Sequence, residues 1–424
     1  MVLLWQVEDM MLLDVNPRLN LSTFVNTWIE PEAEELMQKA ASYNLADAVQ
    51  YASAAEMEKR CINFLAHLWH APDDNFVGTG AVGSSEACYL GGLALKKRWQ
   101  AARRAAGKPA DRPNIVVSHI AQVCWQKLCS YFDVEPHYVD VTEDCLGESR
   151  AAEKGKGVGG RQGACLLRPA CHPSPQERGL EVPLHVDAAN AGLVAPLCRP
   201  DVLFDFRLRH VASINVSGHK YGLVYCGCAF IVWRNREFLP RDMVFTVAYL
   251  GKEEENLTIN FSRPGAQTSA QYYNFIRLGQ EGYRRTFDNF FRIYNALRDK
   301  VERMGCFQIL STGDMPVLAF RLKPLEGGNK RPYNEYDIMM GLGEHRWMVP
   351  AYTMAPAASD MHLLRVCLRV GFDLEMADML AHHLEQVISK LEKHTSPAVP
   401  SPGQAYVEEQ SQRAKEFKRR AGPC

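Results

Sequence analysis

A histidine and a lysine stand side by side in a glycine-flanked bend, within the stretch SGHKYG from Ser217 to Gly222. The stretch follows the alternating apolar run VASINVS and precedes a second apolar run, CAFIVWRN. This pattern predicts a strand that delivers Lys220 into a tight turn. Burial there would lower the pKa of the lysine, and a neutral amine can form a Schiff base with an aldehyde. The alternative is a solvated lysine in a surface turn, which is the commoner case for a single lysine.

A carboxylate ends another apolar strand, at Asp187 in HVDAANAG. A buried charge without a partner is very costly, so this carboxylate needs one. One suitable partner is the protonated ring nitrogen of pyridoxal phosphate (PLP), because an aspartate there keeps the ring charged and able to accept electrons. A helix N-cap or a structural ion pair explains the residue alone equally well. One strand–connection–strand unit separates Asp187 from Lys220, which suits placement of both at one edge of a sheet.

Two serines open a long helical pattern in GSSEACYLGGLALKKRWQAARRAA. The hydroxyls of Ser84 and Ser85, the free N–H groups of the first turn and the positive end of the helix dipole could together bind a phosphate. The alternative is an ordinary N-cap with Glu86 as the acidic residue of the first turn. The order along the chain is more specific than its parts: a phosphate-type helix start, an aspartate after a strand, then a lysine in a bend.

Size and composition restrict the class of protein. The chain has 424 residues, a net charge of −1 and 47% apolar residues. Single cores stop growing near about 250–300 residues, so we expect two lobes. Without a large basic excess, nucleic-acid binding is not expected. Thirteen cysteines without the spacing of a disulfide framework or a zinc ribbon predict reduced thiols in a reducing compartment, the cytoplasm. The apolar N-terminus contains Glu8 and Asp9, and it predicts a buried strand or an irregular start rather than a signal peptide or a membrane span.

Helical and strand patterns alternate through the first half of the chain, which predicts a mostly parallel sheet covered on both faces. A long helical pattern begins at Ala266, and three further strands and a closing helix, LEMADMLAHHLEQVISKLEKH, predict an α+β lobe. We expect an N-terminal segment at 1–46, a large domain at 47–285, a small domain at 286–395, and a linker with a basic tail at 396–424.

Motifs along the chain resemble those of the PLP-dependent glutamate decarboxylases, the plant-like members in particular. The matching stretches include LDVNPRLNLSTFVNTWIEPE, GSSEACYLGGLALKKRW, QVCWQKL, HVDAANAGLVAP, DFRLRHVASINVSGHKYGLVYCG, NFSRPGAQTSAQYY and LLRVCLRVGF. The resemblance implies an α/β fold of the fold-type I PLP-dependent transferases (aspartate aminotransferase-like), with a mostly parallel seven-stranded sheet in the large domain and a smaller α+β C-terminal domain. It implies a carboxy-lyase that converts L-glutamate to 4-aminobutyrate and CO2 with PLP and without a metal.

The resemblance also assigns roles to residues of this chain. Lys220 would hold PLP as a Schiff base, and Asp187 would pair with its ring nitrogen. Tyr249, on a loop with Leu250, would cover the site during catalysis. The other cofactor contacts would come from Ser84, Ser85, Gln122, Ala189, Ser217, His219 and, across a subunit boundary, Ser262. The substrate contacts would come from Arg369 at the α-carboxylate and from Thr23, Phe24 and Glu58 near the distal carboxylate, the first two of these again across the dimer.

Partners and alternatives follow from the same resemblance. A site completed across subunits implies a homodimer or a higher homo-oligomer. Plant-type members often end in a calmodulin-binding segment, but the basic tail here has no tryptophan and a thin apolar face, made of Val407, Ala414 and Phe417. We therefore expect a solvated, partly disordered tail rather than a calmodulin target. Two other interpretations stay open: a related PLP-dependent lyase or decarboxylase with another substrate, since HKYG also resembles sphingosine-phosphate lyases, and a non-catalytic relative.

One segment breaks the alternation of helices and strands, from Gly147 to Gly179. It is rich in Gly, Lys, Arg and Pro and has neither a helical nor a strand period. In the family this region supplies an inner strand, and its loss would leave buried N–H and C=O groups unpaired at about 1–3 kcal/mol each. We therefore expect irregular structure here, with poor folding or weak cofactor binding. The alternative is an insertion that loops out while CLLRPA supplies the strand.

Overall fold

The computed structural model describes residues 2–72, 74–119, 121–139, 164–166, 182–247, 254–325, 331–354, 361–394 and 401–421. They form two compact units. One unit contains the described residues within 25–288, and the other contains those within 1–24, 289–354 and 358–424. This division differs from the one expected from sequence, because the first 24 residues belong with the C-terminal unit and the rest of the expected N-terminal segment does not.

The helices and strands alternate along the chain. The helices of the described residues are α1 (Val2–Met11), α2 (Pro31–Lys39), α3 (Ala52–Leu68), α4 (Ser84–Ala105), α5 (Val123–Tyr131), α6 (Ala191–Cys198), α7 (Gly265–Arg303), α8 (Glu335–Glu344), α9 (Leu374–His394) and α10 (Pro402–Ala421). The strands are β1 (Val77–Ala81), β2 (Asn114–Ser118), β3 (Glu135–Val139), β4 (Ala164–Leu166), β5 (Leu184–Asp187), β6 (Val211–Val216), β7 (Ala229–Trp233), β8 (Phe245–Val247), β9 (Glu254–Asn256), β10 (Phe307–Ile309), β11 (Val317–Leu322), β12 (Ala351–Thr353) and β13 (His362–Cys367). Among these helices, none combines the length and the apolar character that a bilayer span requires.

A seven-stranded sheet forms the centre of the unit within 25–288, in the order β1-β7-β6-β5-β4-β2-β3. Every strand runs parallel to the others except β7, which is antiparallel to both β1 and β6. Strands β6 and β7 are buried along their whole length. Burial on both faces explains the continuous apolar sequence of β7, whereas the two polar residues of β6, Ser213 and Asn215, are buried with hydrogen-bond partners on His185. The predicted mostly parallel seven-stranded sheet is confirmed.

The other unit has a four-stranded antiparallel sheet in the order β10-β11-β13-β12. Helix α8 packs against α9 and against β12 and β13. A capping box starts α8, because the side chain of Asn334 accepts from the N–H of Asp337 while the Asp337 carboxylate accepts from the N–H of Asn334. The predicted α+β character of this part of the chain agrees with these elements.

The expectation for the N-terminus is wrong. The segment forms helix α1, and its apolar side chains are exposed, with Leu3 at 77% and Trp5 at 58% relative exposure. A short apolar run has no period that separates a helix from a buried strand. A helix satisfies its backbone hydrogen bonds within the segment, so it forms without a neighbouring strand.

The expectation of a partly disordered tail is wrong for residues 402–421, which form α10, whereas the side chains from Glu408 to Arg413 are exposed, as a solvated tail requires. The hydroxyl of Ser401 donates a 2.6 Å hydrogen bond to Oδ2 of Asp337, and the N–H of Gly403 donates one of 2.7 Å to Oδ1. The ring of Tyr406 lies 5.3 Å from that of Tyr336. The sequence Ser401-Pro402-Gly403 is typical of a linker. In the structure it begins helix α10, and its residues form hydrogen bonds with Asp337 in the capping box of α8.

The expectation of a missing inner strand is also wrong. Residues 164–166 form β4, which pairs in parallel with β2 on one side and β5 on the other. Cys165 and Leu166 belong to the CLLRPA stretch that was the alternative source of this strand. The remainder of 147–179 lies outside the described residues. Strand β4 therefore lies between β2 and β5 and provides hydrogen-bond partners for the backbone N–H and C=O groups on the facing edges of both strands.

Candidate active site

Four loops meet at one edge of the seven-stranded sheet. They follow β1, β2, β5 and β6, which all point the same way because β7, between β1 and β6, is antiparallel to both. Open α/β sheets bind ligands at the carboxyl ends of their strands. These loops and the helix starts that follow them contain the sequence-predicted residues Ser84, Ser85, Gln122, Asp187, Ala189, Ser217, His219 and Lys220.

Asp187 is half-buried at the end of β5. Its Oδ2 accepts a 3.1 Å hydrogen bond from the indole Nε1 of Trp125. Its Oδ1 accepts from the N–H of Ala189 at 3.1 Å and from Nδ2 of Asn215 at 3.4 Å. Burial raises the pKa of Asp187, but the Trp125 hydrogen bond, nearby positive charge that includes Lys220, and the Ala189 N–H together bring it below its ordinary value. The carboxylate is therefore ionised at neutral pH.

A buried histidine supports this carboxylate from within the sheet. Nδ1 of His185 lies 2.8 Å from the hydroxyl of Ser213, and Nε2 lies 2.9 Å from Oδ1 of Asn215. Burial lowers the pKa of His185 to about 4, so the ring is neutral at neutral pH. Since Nε2 donates to the Asn215 oxygen, the amide nitrogen of Asn215 is turned towards Asp187. The side chains of two adjacent strands thus fix the orientation of the acid.

Lys220 lies half-buried in the bend that follows β6. Its N–H donates to the carbonyl of Ser217 at 3.2 Å, and its own carbonyl accepts from the N–H of Leu223 at 3.1 Å. Leu223 has φ of 63°, in the left-handed region that leucine rarely adopts. A Cβ on Gly222 would lie 2.5 Å from the carbonyl oxygen of Gly218, so the bend also requires glycine. Such a backbone persists only when its surroundings hold it.

Buried polar side chains of α7 hold this bend. Nε2 of Gln271 and the hydroxyl of Tyr283 both donate to the carbonyl of Gly222, at 3.1 and 2.8 Å. Nδ2 of Asn274 donates to the carbonyl of Leu223 at 3.0 Å. All three side chains are buried, so the loss of any of them would leave a buried backbone carbonyl with one partner fewer. The backbone conformation of the bend that contains Lys220 therefore depends on a helix about 50 residues later in the sequence.

The same bend provides two hydrogen-bonding groups suited to an anion. Ser217 is fully buried, and no group of the described residues is a hydrogen-bond partner for its Oγ. Nδ1 of His219 accepts a 3.2 Å hydrogen bond from the N–H of Cys228. Burial and the charge of Lys220 lower the pKa of His219 to about 4, so the ring is neutral and its hydrogen is on Nε2. A buried hydroxyl and an imidazole N–H are both donors for a phosphate oxygen.

The start of α4 adjoins this pair. Gly83 is the N-cap, so Ser84 and Ser85 are the first helical residues, and the interpretation of a serine N-cap is wrong. A Cβ on Gly83 would lie 3.8 Å from Cε1 of His219, which places the helix start beside the imidazole. The first-turn N–H groups, the helix dipole and two hydroxyls are thus next to the bend, as an anion site requires.

Gln122 and Ala189 take part in local backbone structure. Gln122 is the exposed N-cap of α5, and its Oε1 accepts from the N–H of Cys124 at 2.5 Å. The carbonyl of Ala189 accepts from the N–H of Ser217 at 3.2 Å, which joins the loops after β5 and β6. Both residues lie at the same sheet edge as Asp187. Their contacts with the cofactor stay predictions.

The loop before α7 is fixed by Glu86, whose Oε1 accepts from the N–H groups of Ile259 and Asn260, both at 3.0 Å. The hydroxyl of Ser262, two residues further on, is exposed and accepts from Nδ2 of Asn44 at 3.3 Å. The acid that the sequence suggested for the first turn of α4 therefore holds the segment that carries Ser262. The cross-subunit role of Ser262 stays a prediction.

Glu58 forms a nearly buried ion pair. Nη1 and Nη2 of Arg263 donate to its two carboxylate oxygens at 2.8 and 3.2 Å, and the N–H of Gly80 donates to Oε1 at 2.8 Å. The side chain of Glu58 is 10% exposed and that of Arg263 is 11% exposed. These contacts tie β1 to the loop that carries Ser262. They do not support the expected contact of Glu58 with a substrate.

The expected substrate residues Arg369, Thr23 and Phe24 belong to the other unit. Arg369 is 3% exposed, and its Nη2 donates to the carbonyl of Pro17 at 2.6 Å and, in a shorter contact, to that of Asn20. The guanidinium therefore holds the segment that leads to Thr23. Its role at a substrate carboxylate stays a prediction.

A second arginine, which sequence reading did not single out, binds the same N-terminal segment. Nη2 of Arg365 donates to the carbonyl of Ser22 at 2.9 Å, and its guanidinium lies 5.1 Å from the ring centroid of Phe24 and 5.4 Å from that of Tyr352. Stacking and a hydrogen bond together fix residues 22–24 on β13. Tyr249 and Leu250, expected on a covering loop, lie outside the described residues.

Comparisons relate this chain to known proteins. A family profile described as the pyridoxal-dependent decarboxylase conserved domain matches residues 5–154 and 167–323. A glutamate decarboxylase of Petunia hybrida is 41% identical over 424 residues, which cover 96% of this chain and 83% of the relative. The solved glutamate decarboxylase of Lactobacillus brevis superposes with a TM-score of 0.83 at 35% identity and covers 92% of each chain. A sphingosine-1-phosphate lyase of Burkholderia pseudomallei superposes with a TM-score of 0.74 at 17% identity, over 98% of this chain and 93% of that one.

Proposed function

This chain belongs to the family of pyridoxal-dependent decarboxylases, and we propose that its cofactor binds at the sheet edge formed by the ends of β1, β2, β5 and β6. Its activity is the decarboxylation of L-glutamate with PLP as cofactor, the reaction of the relatives that share about 40% of its sequence. The products are 4-aminobutyrate and CO2, and the overall reaction takes up one proton.

The observation that carries the proposed site is the position of Asp187 relative to Lys220. An ionised, half-buried carboxylate ends β5, and an amine that influences its pKa lies in the bend after the adjacent parallel strand β6. Such a pair suits a cofactor that offers a basic ring nitrogen at one side and an aldehyde at the other. Asp187 would hold the ring nitrogen in its protonated form, and Lys220 would bind the aldehyde covalently.

The donors at the bend fit the remaining part of the cofactor, its phosphate. The buried Ser217 hydroxyl lacks a partner among the described residues, and His219 presents an N–H beside the start of α4. Ser84 and Ser85 add hydroxyls there, together with the positive end of the helix dipole. We assign these four side chains to the phosphate.

The residues of this chain have separate roles around the bound cofactor and substrate. When bound, PLP supplies an electron-accepting ring for the electrons left by the departing CO2. Trp125 and Asn215 keep Asp187 ionised and oriented, and the polar side chains of α7 keep Lys220 in its bend. We propose that Arg369 binds the α-carboxylate through its planar fork, that Thr23 and Phe24 bind near the distal carboxylate, and that Tyr249 lies on a loop that excludes water. For Glu58 we propose a positioning role, through Arg263, instead of substrate contact.

We further propose a homodimer in which Ser262 reaches the phosphate of the neighbouring subunit. Light scattering would give the assembly size, and the Ser262→Ala variant should lower PLP affinity without changing that size. Calmodulin binding by the tail remains an unfavoured prediction, because part of α10 is already bound to α8. Cytoplasmic location also remains a prediction.

An assay of the purified full chain with PLP decides between the proposed function and its alternatives. We expect stoichiometric 4-aminobutyrate and CO2 from L-glutamate, with L-tryptophan and L-2,4-diaminobutyrate turned over far more slowly. Preference for another amino acid would support the related-decarboxylase alternative. PLP binding without turnover of any substrate in the panel would support the non-catalytic alternative. Similarity to the lyase is evidence of fold alone at 17% identity.

A further inference from the structure

Two buried thiols lie beside the carboxylate of Asp187. Cys88 is in the second turn of α4, and Cys124 is in the first turn of α5. The two sulfurs and a carboxylate oxygen of Asp187 all lie within 4.8 Å of one another. The two cysteines are 0% and 2% exposed, whereas Asp187 is half-buried. The cluster therefore has a closed side made of sulfur and one accessible side made of oxygen.

The donor set and its dimensions suit a thiophilic cation. Zinc binds cysteine sulfur at about 2.3 Å and carboxylate oxygen at about 2.0–2.2 Å in tetrahedral geometry, which sets neighbouring ligand atoms about 3.5–3.8 Å apart. The three ligand atoms can reach that spacing through small side-chain movements. Cadmium has the same preference for thiolate ligands, so it is a suitable probe. A water molecule would supply the fourth ligand from the accessible side.

We propose that Cys88, Cys124 and Asp187 form a binding site for a thiophilic divalent cation, Zn²⁺ or Cd²⁺, which competes with PLP. The competition rests on the proposed function, in which Asp187 pairs with the protonated ring nitrogen. When the Asp187 carboxylate binds a metal cation, less of its negative charge is available to stabilise the protonated ring nitrogen of PLP. Occupation by the metal therefore lowers the affinity for PLP, and PLP lowers the affinity for the metal.

The binding step balances in charge and protons. Sγ of Cys88 donates a 3.7 Å hydrogen bond to Oδ1 of Asn215, so this thiol carries its proton while no cation is present. One divalent cation binds two thiols and one carboxylate, two S–H bonds break, two metal–sulfur bonds and one metal–oxygen bond form, and two protons leave to solvent. No oxidant or reductant takes part.

The test uses full-length protein from which PLP has been removed. Titration with Cd²⁺ should produce the ultraviolet sulfur-to-cadmium charge-transfer absorption and saturate at one tight site per chain. Cys88→Ala and Cys124→Ala should each weaken this site at least tenfold. Cys226→Ala is the matched control, because Cys226 is an exposed free thiol, and it should bind like the parent. Asp187→Asn should weaken binding while keeping the charge-transfer band.

A second measurement checks the competition and the integrity of the variants. Protein loaded with PLP should take up Cd²⁺ at least tenfold more weakly, and cadmium should slow rebinding of PLP in the parent but not in Cys88→Ala. Equal cadmium affinity in Cys88→Ala and Cys226→Ala would overturn the site, provided that Cys88→Ala still binds PLP. Unchanged affinity in the PLP-loaded parent would overturn the competition. A chain that binds cadmium as expected but fails to decarboxylate glutamate would refute the proposed function and leave the metal site standing.

Discussion

The indole N–H of Trp125 donates a 3.1 Å hydrogen bond to Oδ2 of Asp187. Trp125 is 1% exposed, in the first turn of α5, and its ring also packs 5.4 Å from that of His185. A hydrogen bond to a charged acceptor contributes about 1.5–3 kcal/mol. The tryptophan therefore offsets part of the cost of burying the carboxylate and keeps it ionised.

Trp125→Phe should make the stability of the PLP-free protein less dependent on pH near the carboxyl range. In the parent the pKa of Asp187 is lowered by folding, so its contribution is present above the ordinary value of 3.8 and is lost as the pH falls through the lower, folded-state value. Removal of the donor raises the folded-state pKa and reduces that contribution. The destabilisation should be about 1.5–3 kcal/mol at neutral pH and smaller in acid, as measured by urea unfolding at several pH values.

Trp233→Phe is the control for this variant. Trp233 is fully buried, and its indole nitrogen has no hydrogen-bond partner among the described residues. Its replacement removes similar volume without affecting a carboxylate, so its cost should not vary with pH. If the cost of Trp125→Phe is equally flat, the hydrogen bond has no influence on the ionisation of Asp187.

Lys220→Ala should bind PLP without a covalent link and lose decarboxylation. Borohydride reduction of the parent followed by peptide mapping should find PLP on the peptide that contains Lys220. Lys39→Ala, a substitution on exposed helix α2, should leave both properties unchanged. A label on another lysine would remove Lys220 from its assigned role.

The residues that we assign to the chemistry could be singled out from the sequence, and the residues that hold them in place could not. Lys220 and Asp187 are reactive side chains at strand ends, so their types and spacing indicated chemistry before any fold was known. Gln271, Asn274 and Tyr283 are ordinary polar residues in a long helix, and only the folded chain brings them to the bend after β6. About 50 residues or more separate these side chains from the bend along the sequence, so no local sequence pattern indicates that they contact it.

Helical and strand segments were predictable where their periods were long and failed where they were short. Helix α1 was mistaken because ten apolar-rich residues fit a strand or a helix equally well. Strand β4 has three residues, too few for a period, and only its pairing with β2 and β5 identifies it. The start of α10 depends on Asp337, which lies far away in sequence.

Asp187→Asn keeps the shape of the side chain and removes its charge. Without that charge the protonated form of the PLP ring nitrogen is no longer stabilised, and the ring accepts electrons less well. Turnover should therefore fall at least about a hundredfold, which corresponds to ~2.7 kcal/mol in the activation barrier. Covalent attachment of PLP to Lys220 should persist under borohydride reduction. The surface variant Asp201→Asn, whose side chain is 71% exposed, should behave like the parent. Near-normal turnover of Asp187→Asn would make the acid purely structural.

Arg369→Lys keeps a positive charge but loses the planar fork that binds a carboxylate with two hydrogen bonds. Glutamate turnover should fall about a hundredfold, with the affinity for PLP unchanged, as followed by absorbance titration. The hydrogen bonds to Pro17 and Asn20 should also weaken, so limited proteolysis near residues 17–20 should become faster. Arg303→Lys, at the exposed end of α7, is the control. If PLP binding is lost instead, Arg369 serves the fold rather than the substrate.

Strand β4 allows a direct test of whether this chain folds as written. Cys165 pairs with Val116 of β2 and with Leu184 of β5, so the inner ladder of the sheet is continuous across this position. We therefore expect soluble, PLP-binding protein from the unaltered sequence, because the unpaired groups that argued for poor folding have partners. Cys165→Pro removes an N–H from an inner strand and should abolish soluble expression, whereas Cys165→Ala keeps the N–H and should express like the parent. If Cys165→Pro also gives soluble protein with normal PLP affinity, the segment does not supply the inner strand. Insoluble parent protein would instead restore the expectation that the segment from Gly147 to Gly179 disables folding.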